Sequence, residues 1–168
     1  MPEKWIYWLK ELGQENNAIV GKKCANLGEM MKGGFNVPPG YALSVEAYKR
    51  FMNETPATEH LLKYLEGFKA DPNNVSDTLK YEKASQDLRE MVESIKMPSD
   101  MEKAVKEYYL ELCRIAAREN ISVATRSAGP VSHPGQYETY LNVSGADEVV
   151  RNVRRVWSST FNTRSIIA

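Results

Sequence analysis

The residues best equipped for chemistry are cations set beside glycines. Arg126 closes the β-branched run ISVATR and leads directly into SAGPVSHPGQYE, a connection holding two prolines and two glycines. Glycine lets main-chain amides come close to phosphate oxygens, and a guanidinium grips two such oxygens with parallel hydrogen bonds. That combination makes a local anion site. The plain alternative is a hairpin-like connection carrying a surface arginine. Residue types alone leave both open, although long connections between short strands are more often functional than ornamental.

Lys23 is the second such cation. Gly21 precedes KKCANLGEMMK, which places Lys23 in the first turn of an expected helix, where helix amides and an ammonium jointly neutralise a phosphate. The spacing is not that of GxxxxGK[ST], because Cys24 follows the lysines and no glycine stands at the upstream position, so this is not a Walker loop. A solvated lysine is the competing reading.

Glu138 and Thr139 end the connection and offer a carboxylate and a hydroxyl to a ligand, a metal or the main chain. An ion pair from Glu138 to Arg126 across the loop is the alternative. The histidines are His60 and His133, and neither has a cysteine or acid at metal-ligand spacing. His133 falls inside the connection, where a lone histidine ordinarily does nothing chemical. Arg151, Arg154, Arg155 and Arg164 could be taken as a basic patch, but their alternation with Val153, Val156 and Trp157 is the pattern of a solvated outer surface. Spacing reveals no catalytic triad and no pair of poised carboxylates.

These side chains need elements to hold them. WIYWLKEL is aromatic and β-branched enough for a strand, and the helix after Gly21 presents Cys24, Leu27, Gly28 and Met31 at helical spacing before Gly33-Gly34 stops it. VPPGYALS is a proline-fixed turn into a short strand, and Ser44 is placed to cap a helix through about Met52, with Tyr48, Phe51 and Met52 buried. Residues 55–98 read as a peripheral helical region: LLKYLEGF as a short helix, DPNN as a turn, then a helix from about Asp77 to Ile95. A capping box of Ser99 and Glu102 opens the next helix, expected to run to about Glu119 with Met101, Val105, Tyr108, Leu112 and Ile115 on its core face and Cys113 and Ala116 widening it. ISVAT and TYLNV are strands, and Ser144 caps a last helix with Val149, Val153, Val156 and Trp157 inward.

Composition bounds the rest. A chain of 168 residues with 42% apolar content supports one core, so residues 1–168 are expected to form a single unit. Lysines and arginines number 22, as do the acids, so no global positive field exists to hold a polyanion such as DNA. Cys24 and Cys113 lie in apolar-periodic stretches, as buried free thiols of cytosolic proteins do. No run approaches the ~20 apolar residues of a membrane span, and the start lacks a signal-peptide pattern, so a soluble, cytoplasmic protein without membrane partners is expected. TRSIIA ends without a stop signal or polar tail, as expected of a truncation inside a continuing structure.

Two blocks carry a family resemblance. VGKKCANLGEM followed by NVPPGYALS is similar to the amino-terminal block of phosphoenolpyruvate synthases and pyruvate phosphate dikinases, and RSAGPVSHPGQYETYLNV resembles the second block of the same family. Order and separation also agree, so the resemblance covers nearly the whole chain, with Thr55 to Asn120 the least distinctive part. It implies an α/β (α+β) fold, a small sheet flanked by helices, as the first lobe of an ATP-grasp domain. It further implies a dikinase activity that moves the β-phosphoryl group of ATP to a histidine on another domain or subunit, for onward transfer to pyruvate or a similar acceptor. The isolated chain would then be inactive.

By the same resemblance, Lys23 and Arg126 bind the nucleotide phosphates, with Arg126 also catalytic. Gly135, Gln136, Glu138 and Thr139 contact the nucleotide from a loop, Gly129 to Thr139, that closes over it. Lys22 is then a bystander, and His133 is not the phosphoryl carrier. The cofactors implied are ATP and Mg²⁺, with the magnesium ligands on a second lobe that, like the phosphohistidine domain, is a partner in the same chain or a separate subunit. RSAGPVSHPG is closer to the compact loop of pyruvate phosphate dikinases, whereas QYETYLNV is closer to the synthases. The mixture also suits phenylphosphate synthase, which phosphorylates phenol and keeps its ATP-binding part on a separate chain. The competing class is a non-catalytic docking or regulatory subunit that retains the lobe's fold.

Overall fold

The opening aromatic run forms strand β1, Ile6–Trp8, and then tightens into a 3₁₀ turn, Leu9–Glu11. A computed structural model describes residues 4–128 and 138–167 of the chain. A second 3₁₀ turn and the four-residue helix α1, Asn17–Val20, bring the backbone to Gly21, whose φ of 81° lies where glycine alone is unstrained. Helix α2, Lys22–Lys32, starts there. Strand β2, Tyr41–Leu43, follows the two prolines and pairs antiparallel with β1, with Tyr7 opposite Ala42.

Ser44 caps helix α3, Val45–Glu54, its hydroxyl oxygen accepting from the Ala47 amide at 3.3 Å. Helix α4, Ala57–Gly67, and the two long helices α5, Thr78–Ser94, and α6, Ser99–Ile115, complete the middle of the chain. Strands β3, Val123–Arg126, and β4, Thr139–Val143, form a second antiparallel pair, followed by helices α7, Ala146–Ser158, and α8, Thr163–Ile167. The fold is thus an α/β unit dominated by helices, and its strand residues are divided between two separate two-stranded sheets rather than gathered in one.

The larger core joins α3 to α7 with the second sheet. Phe51, Leu88, Val92, Met97, Met101, Val105 and Tyr109 are almost wholly excluded from solvent, and Trp157 of α7 packs tilted against Phe51 with ring centroids 5.1 Å apart. Residues 55–98 are not peripheral: Ala57, Leu61, Leu88, Val92, Ile95 and Met97 belong to this core, because α5 packs along α7. The smaller core is local to the first block and contains Leu9, Leu12, Val20, Ala25 and Ala42, with Cys24 and Leu27 packed against it. Gly28 makes that packing possible, since a Cβ there would stand 2.3 Å from the Leu12 carbonyl oxygen and 2.6 Å from that of Leu9.

Four local expectations are corrected. Helix α6 is capped by Pro98, whose carbonyl accepts from the Glu102 amide, so the Ser99–Glu102 capping box does not form. Its buried face includes Cys113 as expected but carries Tyr109 rather than Tyr108, while Ile115 and Ala116 are exposed, and the helix stops four residues early, with Ala117 reversing the chain at φ 52°. Ser144 does not cap α7; its hydroxyl donates to the Asn120 carbonyl at 2.5 Å, and Gly145 is the N-cap. On α7, Arg151 is solvated beside Glu148, but Arg154 donates to the Ile95 carbonyl at 3.0 Å and Arg155 covers the Tyr140 ring, so that face is not wholly an outer surface.

Candidate functional site

Arg126 and Thr139 are the last and first residues of the paired strands and stand directly opposite each other. Residues on one rung share a face of the sheet, so the guanidinium and the hydroxyl emerge together. Both are exposed. One rung back, Thr125 faces Tyr140, and an irregularity between Val123 and Thr125 shifts the register. Bulges of this kind re-aim the residues beyond them.

The hairpin is anchored from below by Tyr109. This fully buried phenol donates to the Ile121 carbonyl at 2.8 Å, just before β3, and accepts from the Gly145 amide at 2.8 Å, just after β4. One side chain of α6 thereby ties the start of β3 to the end of β4, at the end of the strand pair away from Arg126 and Thr139. The other face of the hairpin leans on α5 and α7: Arg89 donates twice to Glu138, at 2.7 and 2.8 Å, and the Arg155 guanidinium lies 4.0 Å from the Tyr140 ring centroid. Tyr140 also donates its hydroxyl to Glu138. The neighbouring Arg89 guanidinium holds the Glu138 carboxyl below the usual carboxylate range, while burial pushes the Tyr140 phenol up to about 12.

Helix α2 brings the other cation. Gly21 has no side chain to cap the helix, so the first-turn amides lack a side-chain acceptor there. Lys22 points to solvent, and Lys23 is half-buried. Cys24, next in line, reports on its surroundings: burial raises its thiol pKa, and the positive charges of Arg126 and Lys23 pull it back down. Lys23 and Arg126, 103 positions apart in sequence, therefore both bear on the same thiol. Among the described residues, no carboxylate stands in ion-pair contact with either cation.

The structure thus brings Lys23, Arg126 and Thr139 toward one region. Glu138 adjoins it, but its pairing partner is Arg89 rather than Arg126. Gly135, Gln136 and His133 lie outside the described residues, as does most of the span from Gly129 to Thr139. His60 is exposed on α4. Arg89 and Tyr109 were not singled out by sequence reasoning. The helical stripe of α5 contains Leu88 and Val92, so Arg89 reads there as an ordinary flanking charge, and no local signal ties it to an acid 49 positions away.

Residues 17–167 match the family described as pyruvate phosphate dikinase, AMP/ATP-binding domain. The chain belongs to that family. A probable phosphoenolpyruvate synthase of Methanocaldococcus jannaschii is 36% identical across 97% of the chain, which corresponds to 14% of that protein. Phosphoenolpyruvate synthases of Aeropyrum pernix and Pyrococcus furiosus are 36% and 30% identical over 99% and 98% of the chain, and it spans 20% and 24% of their lengths. The AMP/ATP-binding domain family thus accounts for nearly every residue here, while most of each relative lies outside the matched part. Among the described residues, no helix is long and apolar enough to cross a membrane.

Proposed function

We propose that this chain is the phosphate-gripping first lobe of an ATP-grasp unit, working in a dikinase that moves the β-phosphoryl group of ATP to a histidine on another domain or subunit. The single observation that carries this reading is that Lys23, in the first turn of α2, and Arg126, at the strand end opposite Thr139, both stand without a carboxylate in contact among the described residues. Unneutralised cations held on two separate elements suit a polyphosphate. Phosphoryl transfer spreads negative charge over several oxygens, and fixed positive groups stabilise that charge without reorganising.

In this reading Arg126 grips two phosphate oxygens and is the catalytic cation, Lys23 adds a point charge, and the Thr139 hydroxyl joins them from the facing strand. Gly135, Gln136 and Glu138 would add further contacts to the nucleotide, as the family resemblance implies. Lys22, turned to solvent, takes no part. Among the described residues, no three acids or histidines group to hold a cation, and Glu138 is already engaged by Arg89. In this reading magnesium is held by acidic ligands of a second lobe, and no step is assigned to it on this chain.

The phosphohistidine would pass its phosphoryl group to pyruvate or a similar acceptor, as the names of the relatives suggest. The test is to incubate ATP with the complementing lobe and histidine-bearing domain, with and without this chain. AMP, phosphate and a phosphohistidine form only when the chain is present. ADP as the product, or AMP formation without the chain, contradicts the proposal.

A further inference from the structure

Glu138 is held by more contacts than its position at a strand end requires. Both of its carboxylate oxygens accept from Arg89, at 2.7 and 2.8 Å, and one also accepts from the Tyr140 hydroxyl, which itself receives a bond from Arg89 at 3.3 Å. Arg155 of α7 closes the cluster from the far side of the Tyr140 ring. Three elements therefore converge on the point where the 127–138 connection rejoins the sheet.

Strand alternation gives this cluster its meaning. Glu138 and Tyr140 turn toward α5 and α7, and Thr139 between them turns the opposite way, onto the face it shares with Arg126. A carboxylate on the cation-bearing face would repel phosphate and neutralise Arg126. Clamped by Arg89, it is kept off that face, and its pull on the backbone fixes the orientation of Thr139.

We infer that Arg89 is a positioning residue of the nucleotide site. Its bidentate hold on Glu138 is a latch that sets where the chain enters β4 and keeps Thr139 opposite Arg126. This rests on the nucleotide reading above for its functional consequence, though the latch itself is a mechanical claim about the hairpin. Arginine is needed for the two-pronged grip; a lysine ammonium reaches the carboxylate as a point charge and restores only part of it.

The experiment measures two quantities in the same variants of the chain, in the presence of the complementing lobe: amide hydrogen exchange across Thr139–Val143, and ATP affinity by calorimetry. Arg89→Met and Glu138→Gln are expected to speed exchange about two- to fivefold and to weaken ATP about two- to fivefold, the scale of losing one well-ordered ion pair. Arg89→Lys recovers part of both, and the exchanged pair Arg89→Glu with Glu138→Arg recovers most of both. Exchange unchanged in Arg89→Met overturns the latch, and a loss of ATP affinity in Arg126→Ala would then leave the nucleotide reading standing. Faster exchange rescued by the exchanged pair, in a chain that never binds ATP, upholds the latch and removes the nucleotide reading. An ATP loss that merely follows a falling unfolding midpoint, without rescue by the exchanged pair, reduces Arg89 to a structural tie and overturns the inference.

Discussion

Arg126 stands directly across the β3–β4 ladder from Thr139, so the 127–138 connection leaves and re-enters the sheet on a single rung. This rung ties a long, glycine-containing segment to a rigid base. Tyr109 below and Arg89 beside it hold that base from two different helices. The arrangement separates the tasks of the hairpin, with one face for cations and hydroxyl and the other for anchoring.

Removing the Tyr109 hydroxyl tests the base. Tyr109→Phe keeps the ring in the core but leaves the Ile121 carbonyl and the Gly145 amide without their partner. Loss of two buried hydrogen bonds is expected to cost about 2 kcal/mol. Urea unfolding measures it, and an unchanged midpoint would mean that the hairpin is anchored elsewhere.

Gly28 tests the seat of α2. Alanine is the better helix former by about 1 kcal/mol, which favours Gly28→Ala in isolation. The new Cβ would meet the Leu12 carbonyl oxygen at 2.3 Å, and backbone cannot swing aside as a side chain does. Overpacking should win, with a net loss of about 2 kcal/mol and a shift of α2 away from the Leu9–Leu12 turn. The denaturation midpoint decides, and a rise would show that α2 can lift without penalty.

Cys24 supplies an optical and chemical handle on the cations. Burial raises its thiol pKa, and Arg126 and then Lys23 lower it. Arg126→Ala and Lys23→Ala should each move the pKa higher still, so that less thiolate exists at pH 8 and alkylation slows several-fold. Mass spectrometry separates Cys24 from Cys113. A pH–rate profile that is the same in all three proteins would place the cations too far from the sulfur.

The latch has an acid limit. The Arg89 guanidinium depresses the Glu138 carboxyl below its unfolded value, so its contribution to stability is present above the ordinary carboxylate range and disappears as pH falls through the depressed value. Unfolding of wild type and Arg89→Met should therefore differ at pH 7 and converge in strong acid. A gap that persists below the carboxylate range would assign the effect to packing of Arg89 instead.

Sequence legibility followed the range of the interaction. The start of α2, the Ser44 cap and the strand ending at Arg126 are each written within a few residues, as a glycine, a hydroxyl three positions from its amide, and a β-branched run. Caps misread at Ser99 and Ser144 had competitors a residue away or across the fold: the Pro98 carbonyl took the Glu102 amide, and the Asn120 carbonyl took the Ser144 hydroxyl. On α6 the fully buried aromatic is Tyr109 rather than Tyr108, and its phenol finds two distant backbone partners, which periodicity does not encode. Arg89 was invisible for the same reason. Lys23 and Arg126 emerged only because each carries a recognisable local motif, and their mutual approach is a property of the fold alone.

The central claim is that Lys23 and Arg126 grip one polyphosphate, and calorimetric titration with ATP in the presence of the complementing lobe tests it most directly. Lys23→Ala and Arg126→Ala should each weaken binding at least about tenfold, the scale of removing one charge-assisted phosphate contact, while Lys22→Ala stays within about twofold. Equal affinity in wild type, Lys23→Ala and Arg126→Ala would contradict the account.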